Sequence, residues 1–203
     1  MNKELKIAIL IMAAGESRRM NGIKQLLPWK GTSLLNHTIN VLKGVQKESI
    51  FVVLGAYSEE IRKAIDFRVE EVTILENLDW RNGLGSSIAY GIRHVLNLKN
   101  NFDGVLICLA DQPLLHSDYY KKMIMEFGSG INPIVASRYK DKIGVPALFA
   151  RQIASELMEL KEDHGAKHIL SKYEARTTIV HPKELIKDID TTEEYLEIYN
   201  QYN

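Results

Sequence analysis

The chain reads as an α/β fold: a mostly parallel central sheet with helices on both faces. Three observations predict it. Apolar runs of strand length, Leu5–Met12, Ile50–Leu54, Val72–Leu75 and Val105–Ala110, recur along the first half. Segments with a 3.6-residue apolar period lie between them. From Ile7 to Met12 the first run is apolar without a break rather than alternating, as a strand covered on both faces requires. Strand, helix, strand in this rhythm builds βαβ units and a parallel sheet.

The elements follow in order. Leu35, Ile39 and Leu42 share one helical face after Thr32, the expected N-cap. Ser58 is placed to cap the next helix, whose first turn carries Glu59 and Glu60, where acid suits the helix dipole. Ile88, Ile92, Val95 and Leu96 form a third stripe. Ser117 is expected to cap a helix running through Met125, ended by Gly128-Ser129-Gly130. Pro133–Ser137 and Ile143–Phe149 read as strands, and Pro146 puts the second at an edge or a bulge. Helices are expected near Arg151–Leu160 and after Asp163. Thr191-Thr192-Glu193-Glu194 fits a capping box that opens a C-terminal helix. No repeat, low-complexity tract or Pro/Gly/Ser-rich linker intervenes, so residues 1–203 read as one domain.

Composition excludes several classes. With 203 residues, 45% of them hydrophobic, the chain can bury a full core without disulfides or a structural metal. The single cysteine, Cys108, rules out a disulfide framework and a multi-cysteine zinc site, and fits a reducing compartment. Lys+Arg and Asp+Glu are equal at 26 each, without the basic excess of a nucleic-acid binder. No apolar stretch approaches the roughly 20 residues of a bilayer span. Lys3 and Lys6 before Ile7–Met12 and Ala13-Ala14-Gly15 faintly imitate a signal peptide. Glu4 breaks the basic leader, however, and Glu16-Ser17-Arg18-Arg19 follows at once. The expectation is a soluble cytoplasmic protein with neither a nucleic-acid nor a membrane partner.

In open α/β sheets, ligands bind beyond the carboxyl ends of the strands. After the first strand come Ala13-Ala14-Gly15-Glu16-Ser17-Arg18-Arg19-Met20-Asn21-Gly22-Ile23-Lys24. Small residues bring backbone N–H groups close to an anion, and Arg19 and Lys24 add positive charge, which suits a polyphosphate. The segment is neither a Walker A loop nor a GxGxxG turn; the plain alternative is a β–α connection with two surface cations. After the fourth strand, Asp111-Gln112-Pro113 sets a carboxylate where it can hold Mg²⁺ with substrate phosphates, or merely form a turn before proline. Asp188 and Asp190 end a short apolar segment, and strand alternation would put both on one side, so either can reach a metal. The other reading is charge complementarity at the following helix N-terminus. Asn77 to Ser87 carries Gly83-Leu84-Gly85-Ser86-Ser87 at a helix start, suited to a nucleobase edge, a phosphate, or simple capping by Ser86.

Other candidates are weaker. His164 and His168 lack the glutamate of an HExxH zinc site. Cys108 sits within an apolar strand as core filler. No Gly-x-Ser-x-Gly elbow occurs. Lys161, Glu162 and Asp163 read as a solvated face.

Taken together, AAGESRRMNGIKQLLP, NGLGSSI, ADQPLL, GVPALF, HGAK and DIDTTEEY, in order over nearly the whole chain, resemble the molybdenum cofactor nucleotidyltransferases, most closely the cytidylyltransferase branch. The resemblance implies a single-domain, Rossmann-like nucleotidyltransferase fold and transfer of a nucleoside monophosphate to the phosphate of molybdopterin, with release of pyrophosphate. It implies that Ala13, Ala14, Gly15 and Ser17 wrap the triphosphate and base, and that Arg19 and Lys24 bind phosphates. Gly83, Leu84 and Ser86 would contact the base. Asp111 and Asp190 would hold Mg²⁺, with Lys24, Arg19 and Asp111 as the catalytic groups. Gly144, Pro146 and Asp163 would face the acceptor. Ala-Ala-Gly resembles the cytidylyl branch, which favours CTP, whereas guanylyl enzymes typically have Ala-Gly-Gly. A molybdenum enzyme or its chaperone is the implied partner. Asn21 and Glu162 stand where the family usually has glycine. Two rivals are a methylerythritol-phosphate or sugar-phosphate nucleotidyltransferase and a non-catalytic nucleotide- or cofactor-binding chaperone. The methylerythritol-phosphate enzymes usually carry an Arg-Pro pair shortly after the metal aspartate, and Gln112-Pro113-Leu114 lacks that arginine.

Overall fold

Buried apolar residues alternate across one strand and thereby organise the whole molecule. In β1 (Ile7–Ala13) every residue is buried. Ile7, Ile9, Ile11 and Ala13 enter one core cluster; Ala8, Leu10 and Met12 enter another. A two-residue period places successive side chains on opposite faces, so a solidly apolar strand needs cover on both. The computed structural model describes residues 5–20, 22–46, 49–65, 67, 72–139, 142–161, 165–182 and 187–203.

After β1 come a small hairpin, β2 (Pro28–Trp29) and β3 (Thr32–Ser33), then β4 (Ile50–Leu54), β5 (Val72–Glu76), β6 (Gly104–Leu109), β7 (Ile134–Tyr139), β8 (Lys142–Ala150) and β9 (Thr177–Val180). The helices are α1 (Leu34–Lys43), α2 (Ser58–Ala64), α3 (Leu84–Asn97), α4 (Ser117–Gly128), α5 (Arg151–Ala154), α6 (Lys167–Lys172) and α7 (Thr192–Tyr202). The main sheet has the order β5-β4-β1-β6-β8-β7-β9. Neighbours pair in parallel except β8, which runs against both β6 and β7. The expected α/β fold with a mostly parallel sheet is therefore what forms. α1, α2 and α4 cover one face through Leu35, Ile39, Ile61 and Met123. α3, α5 and α6 cover the other through Ile88, Ile92, Ile153 and Ile169. No helix among the described residues is long and apolar enough to cross a membrane.

Several local expectations need correction. Thr32 does not cap α1; it pairs with Trp29 in the hairpin, and Ser33 Oγ accepts the Asn36 N–H instead. Ser58 and Ser117 lie inside their helices, behind Tyr57 and His116 at the N-cap positions. Pro146 is not on an edge strand, because β8 lies between β6 and β7. The bulge alternative holds: the register jumps from Ala136 opposite Ala147 to Ser137 opposite Gly144. The helix near Arg151–Leu160 shortens to α5 followed by a 3-10 turn over Ser155–Glu159. β9 and the hairpin carry too few apolar residues to have been legible. The capping box does form, with Thr191 Oγ1 accepting the Glu194 N–H and the Glu194 carboxylate accepting the Thr191 N–H.

A third apolar cluster bears on function. α7 packs Tyr195 and Ile198 against Trp29, Leu34, Leu114 and Ile189, and the Tyr195 hydroxyl donates to the Pro28 carbonyl at 2.8 Å. The C-terminal segment is thereby drawn across the carboxyl end of β6.

Beneath that end lies a polar core. Burial pushes the Cys108 thiol and the Tyr120 hydroxyl up, and the Tyr119 hydroxyl to about 12. Tyr119 donates to Ser137 Oγ at 2.8 Å, and Ser137 donates to the Pro146 carbonyl at 2.7 Å. A raised pKa means that the folded chain holds these protons more tightly than the unfolded chain. For Tyr119 that contribution to stability is complete below the ordinary tyrosine value of 10.0 and declines as pH rises toward about 12. Urea midpoints measured across that interval should fall, and Tyr119→Phe should flatten the slope.

Candidate active site

The loop after β1 is held by one buried amide. Gln25, 4% exposed, donates through Nε2 to the Ala13 carbonyl at 2.8 Å and to the Gly15 carbonyl at 3.1 Å. Ser17 takes a left-handed conformation with φ 55°. Its Oγ accepts the Lys24 N–H at 3.3 Å, and its carbonyl accepts the Met20 N–H at 2.9 Å. Ala14 is buried, and its carbonyl accepts the Ala56 N–H at 3.1 Å. The expected cradle thus closes on itself, and Lys24 is presented from a short 3-10 turn, Lys24–Leu26.

Lys24 Nζ lies 2.6 Å from Asp111 Oδ2, 2.7 Å from the Ile189 carbonyl and 3.3 Å from Asp190 Oδ1. Arg19 reaches the other oxygen of Asp190 at 3.1 Å. Four of the residues singled out in the sequence therefore meet, although up to 171 positions part Arg19 from Asp190 along the chain. Arg18 instead pairs with Glu16 at 2.7 Å on the exposed side. Burial opposes the Lys24 charge, but Asp111 and Asp190 together outweigh it and hold the ammonium above its usual lysine value.

Asp188 and Asp190 do not sit on a strand, so alternation does not place them. Residues 187–190 have no regular structure and are anchored point by point. The Ile189 N–H donates to the Asp111 carbonyl at 3.1 Å. Gln112 Nε2 donates to Asp188 Oδ1 at 2.8 Å, and the Glu194 carboxylate accepts the Asp190 N–H at 2.8 Å. Burial, followed by the nearby charge of Asp111, pushes the Asp188 carboxyl up.

The Gly83–Ser86 segment corrects one expectation. Ser86 is not the N-cap; Gly83 is, at φ 91°, a backbone conformation that side-chain-bearing residues rarely adopt. The Ser86 hydroxyl donates to the Asp79 carbonyl at 3.0 Å and accepts from Asn77 Nδ2 at 3.1 Å. Leu84 follows as the first residue of α3. An open groove of about 440 Å³ borders Ser86 and runs past Tyr90 and Arg93 to Lys161. Its lining does not include Lys24 or Asp111, so this groove and the charged cluster are separate features. Between them, Trp80 packs over Gly55 so closely that a Cβ there would lie 2.5 Å from the Trp80 Cβ and 2.9 Å from the Ala14 Cβ.

Gly144 and Pro146 lie in the β8 bulge and do not touch the cluster directly. Gln112 links them to it, since its Nε2 also approaches the Val145 carbonyl at 3.4 Å. Asp163 and His164 lie outside the described residues. Gln25 and Gln112 are the positioning residues that sequence reasoning missed. A single buried glutamine leaves no periodic or charge signature.

Whether the cluster suits a divalent cation can be judged from its oxygens. Among the described residues no three His, Cys, Asp or Glu side chains form a ready-made metal cage. Asp111 Oδ1, however, is buried without a hydrogen-bond partner, and Asp111 Oδ2 shares the Lys24 ammonium with Asp190 and the Ile189 carbonyl. Two carboxylates and a carbonyl are hard oxygen donors of the kind that a divalent cation takes together with phosphates and water.

The α/β fold and the family match together define a nucleotidyltransferase. Residues 9–177 match the model of the MobA-like NTP transferase domain, and the chain belongs to that family. It is similar to the purine catabolism protein PucB of Bacillus subtilis, at 25% identity over 201 residues and 92% of each chain. It is also similar to a probable molybdenum cofactor guanylyltransferase of Bacillus cytotoxicus, at 22% identity over 95% of this chain and 96% of that one. The crystal structure of Rv0371c from Mycobacterium tuberculosis H37Rv shares the fold, with TM-score 0.81, 22% identity, and coverage of 97% of this chain and 99% of that one. That protein has also been solved in complex with manganese, where the TM-score is 0.77 over 96% of this chain and 98% of that one.

Gln25→Leu tests the loop clamp. It leaves the Ala13 and Gly15 carbonyls without their donor, and urea denaturation should report a loss of about 1–3 kcal/mol.

Proposed function

We propose that this nucleotidyltransferase transfers CMP from CTP to the phosphate of molybdopterin or molybdenum cofactor, releasing pyrophosphate, and that its product passes to a molybdenum enzyme or its chaperone. The observation that carries the reading is the convergence of Lys24, Arg19, Asp111 and Asp190 beside the Ala13-Ala14-Gly15 turn. Cations there meet a polyphosphate, and carboxylates there meet its counter-ion. The likeness to a probable molybdenum cofactor guanylyltransferase over nearly both full lengths supports the acceptor class. The base preference rests on the Ala13-Ala14-Gly15 opening, which resembles the cytidylyl branch, where guanylyl enzymes typically have Ala-Gly-Gly.

In this reading, backbone N–H groups of residues 14–17 and the Arg19 and Lys24 side chains bind the triphosphate. Gly83, Leu84 and Ser86 border the base, and Gly144, Pro146 and Asp163 border the acceptor. Asp111 and Asp190 would hold Mg²⁺, which neutralises phosphate charge when bound. An oxygen of the acceptor phosphate attacks the α-phosphorus in line. The new P–O bond forms as the bond to the bridging oxygen breaks, and that electron pair leaves with pyrophosphate. Both reactants are anions, so Lys24 and Arg19 contribute by alignment and by stabilising charge on the leaving oxygens. Gln112 positions the acceptor segment through Val145 and the acid segment through Asp188.

Asp111→Asn should fold normally by circular dichroism yet lose turnover by on the order of 100-fold or more; near-normal pyrophosphate release would remove Asp111 from the mechanism. A thermal-shift panel of CTP, GTP, ATP and UTP, each with and without Mg²⁺, tests the base. At 100 times its dissociation constant the preferred nucleotide should add about 2.7 kcal/mol of stability. A GTP preference would move the assignment to the guanylyl branch, and no preference for CTP would remove the cytidylyl assignment.

A further inference from the structure

We propose that Lys24 is an internal counter-ion that closes the Asp111–Asp190 pair to a free divalent cation until a triphosphate draws its ammonium away. The proposal rests on the reading above, in which those carboxylates hold a metal and Lys24 binds phosphate.

The ammonium has three N–H donors and three oxygen partners: Asp111 Oδ2 at 2.6 Å, the Ile189 carbonyl at 2.7 Å and Asp190 Oδ1 at 3.3 Å. Two carboxylates and a carbonyl are also the hard oxygen donors that a divalent cation takes. Two positive charges cannot share them at contact distance, so one occupant excludes the other. Lys24 holds its place firmly. Its side chain is only 16% exposed, and its N–H is tied to Ser17 Oγ.

The segments that carry the carboxylates, in contrast, are anchored without it. Asp111 is fixed at the end of β6 and bonded through its carbonyl to the Ile189 N–H. Asp190 is held through its N–H by Glu194 and through its carboxylate by Arg19. Asp188 is held by Gln112. Taking Lys24 away leaves those segments in place and strips Asp111 of the ammonium, while Arg19 still pairs with Asp190. Asp111 Oδ1 adds to that, being buried and unpartnered even with Lys24 present.

A bare cation offers Lys24 nothing in exchange for three oxygen contacts, whereas a triphosphate carries anionic oxygens that replace them. Cation and nucleotide therefore enter together, and metal affinity without nucleotide is set by Lys24.

The test is Mn²⁺ binding to the full chain without nucleotide, followed by electron paramagnetic resonance and by the metal-induced change in melting temperature. Lys24→Met should bind Mn²⁺ at least about tenfold more tightly than wild type, within the usual range of coupling between sites. It should also gain a Mn²⁺-induced rise in melting temperature that wild type lacks, and bind CTP more weakly. Adding Asp111→Asn to Lys24→Met should erase the gain. Should Lys24→Met fail to fold by circular dichroism, Lys24→Gln removes the same charge on a shorter polar chain. Unchanged or weaker Mn²⁺ binding in the folded variant overturns the proposal and leaves the functional reading standing, provided that wild type binds Mn²⁺ together with CTP. If wild type binds no Mn²⁺–CTP complex and Asp111→Asn changes nothing, the functional reading itself is overturned.

Discussion

The Lys24 ammonium ties together segments that share no sequence neighbourhood. It leaves the β1 loop, crosses to Asp111 at the end of β6, and meets the Ile189 carbonyl and Asp190 just ahead of the C-terminal helix. A mostly buried charge needs partners of opposite sign and good geometry, because stripping its water costs several kcal/mol. Everything around Lys24 answers that requirement. Gln25 shapes the loop that presents it, the apolar docking of α7 brings residues 188–190 within reach, and Arg19 takes the remaining oxygen of Asp190.

The apolar framework explains why this arrangement is stable enough to be used. β1 is sandwiched between two core clusters, so the strand whose end carries the loop has little freedom to shift. The third cluster does the same for the C-terminal segment: Ile189 is fully buried between two aspartates, flanked by Trp29 and Tyr195. An apolar anchor between two acidic side chains lets hydrophobic burial set the position of charges that would otherwise repel one another. Gln112 then joins this acidic segment to the β8 bulge, so that the cation side and the acceptor side of the proposed reaction share one amide.

Much of this was legible beforehand. The inner parallel strands β1, β4 and β6 declared themselves by unbroken apolar runs, since burial on both faces leaves no room for polar alternation. The capping box at Thr191 was legible because its donors and acceptors lie three residues apart. The serine caps at positions 58, 86 and 117 were misassigned by one or more residues, because a cap is decided by where the chain enters the helix. At Gly83 and Tyr57 that entry is made by backbone geometry with no capping side chain. Pro146 was readable as a break in pairing, but the choice between edge and bulge depended on β7 lying beyond it.

By itself, then, the sequence determined the α/β class, the strand ends where chemistry collects, and the identity of the charged groups, because periodicity and local chemistry are written within a few residues. Only the tertiary structure decided that Lys24 spans Asp111 and Asp190, that residues 187–190 are a strap and not a strand, and that Gln25 and Gln112 hold the pieces together. Those outcomes depend on contacts between segments as much as 166 residues apart. Such contacts are settled by which apolar faces pack against each other, and no local pattern encodes that.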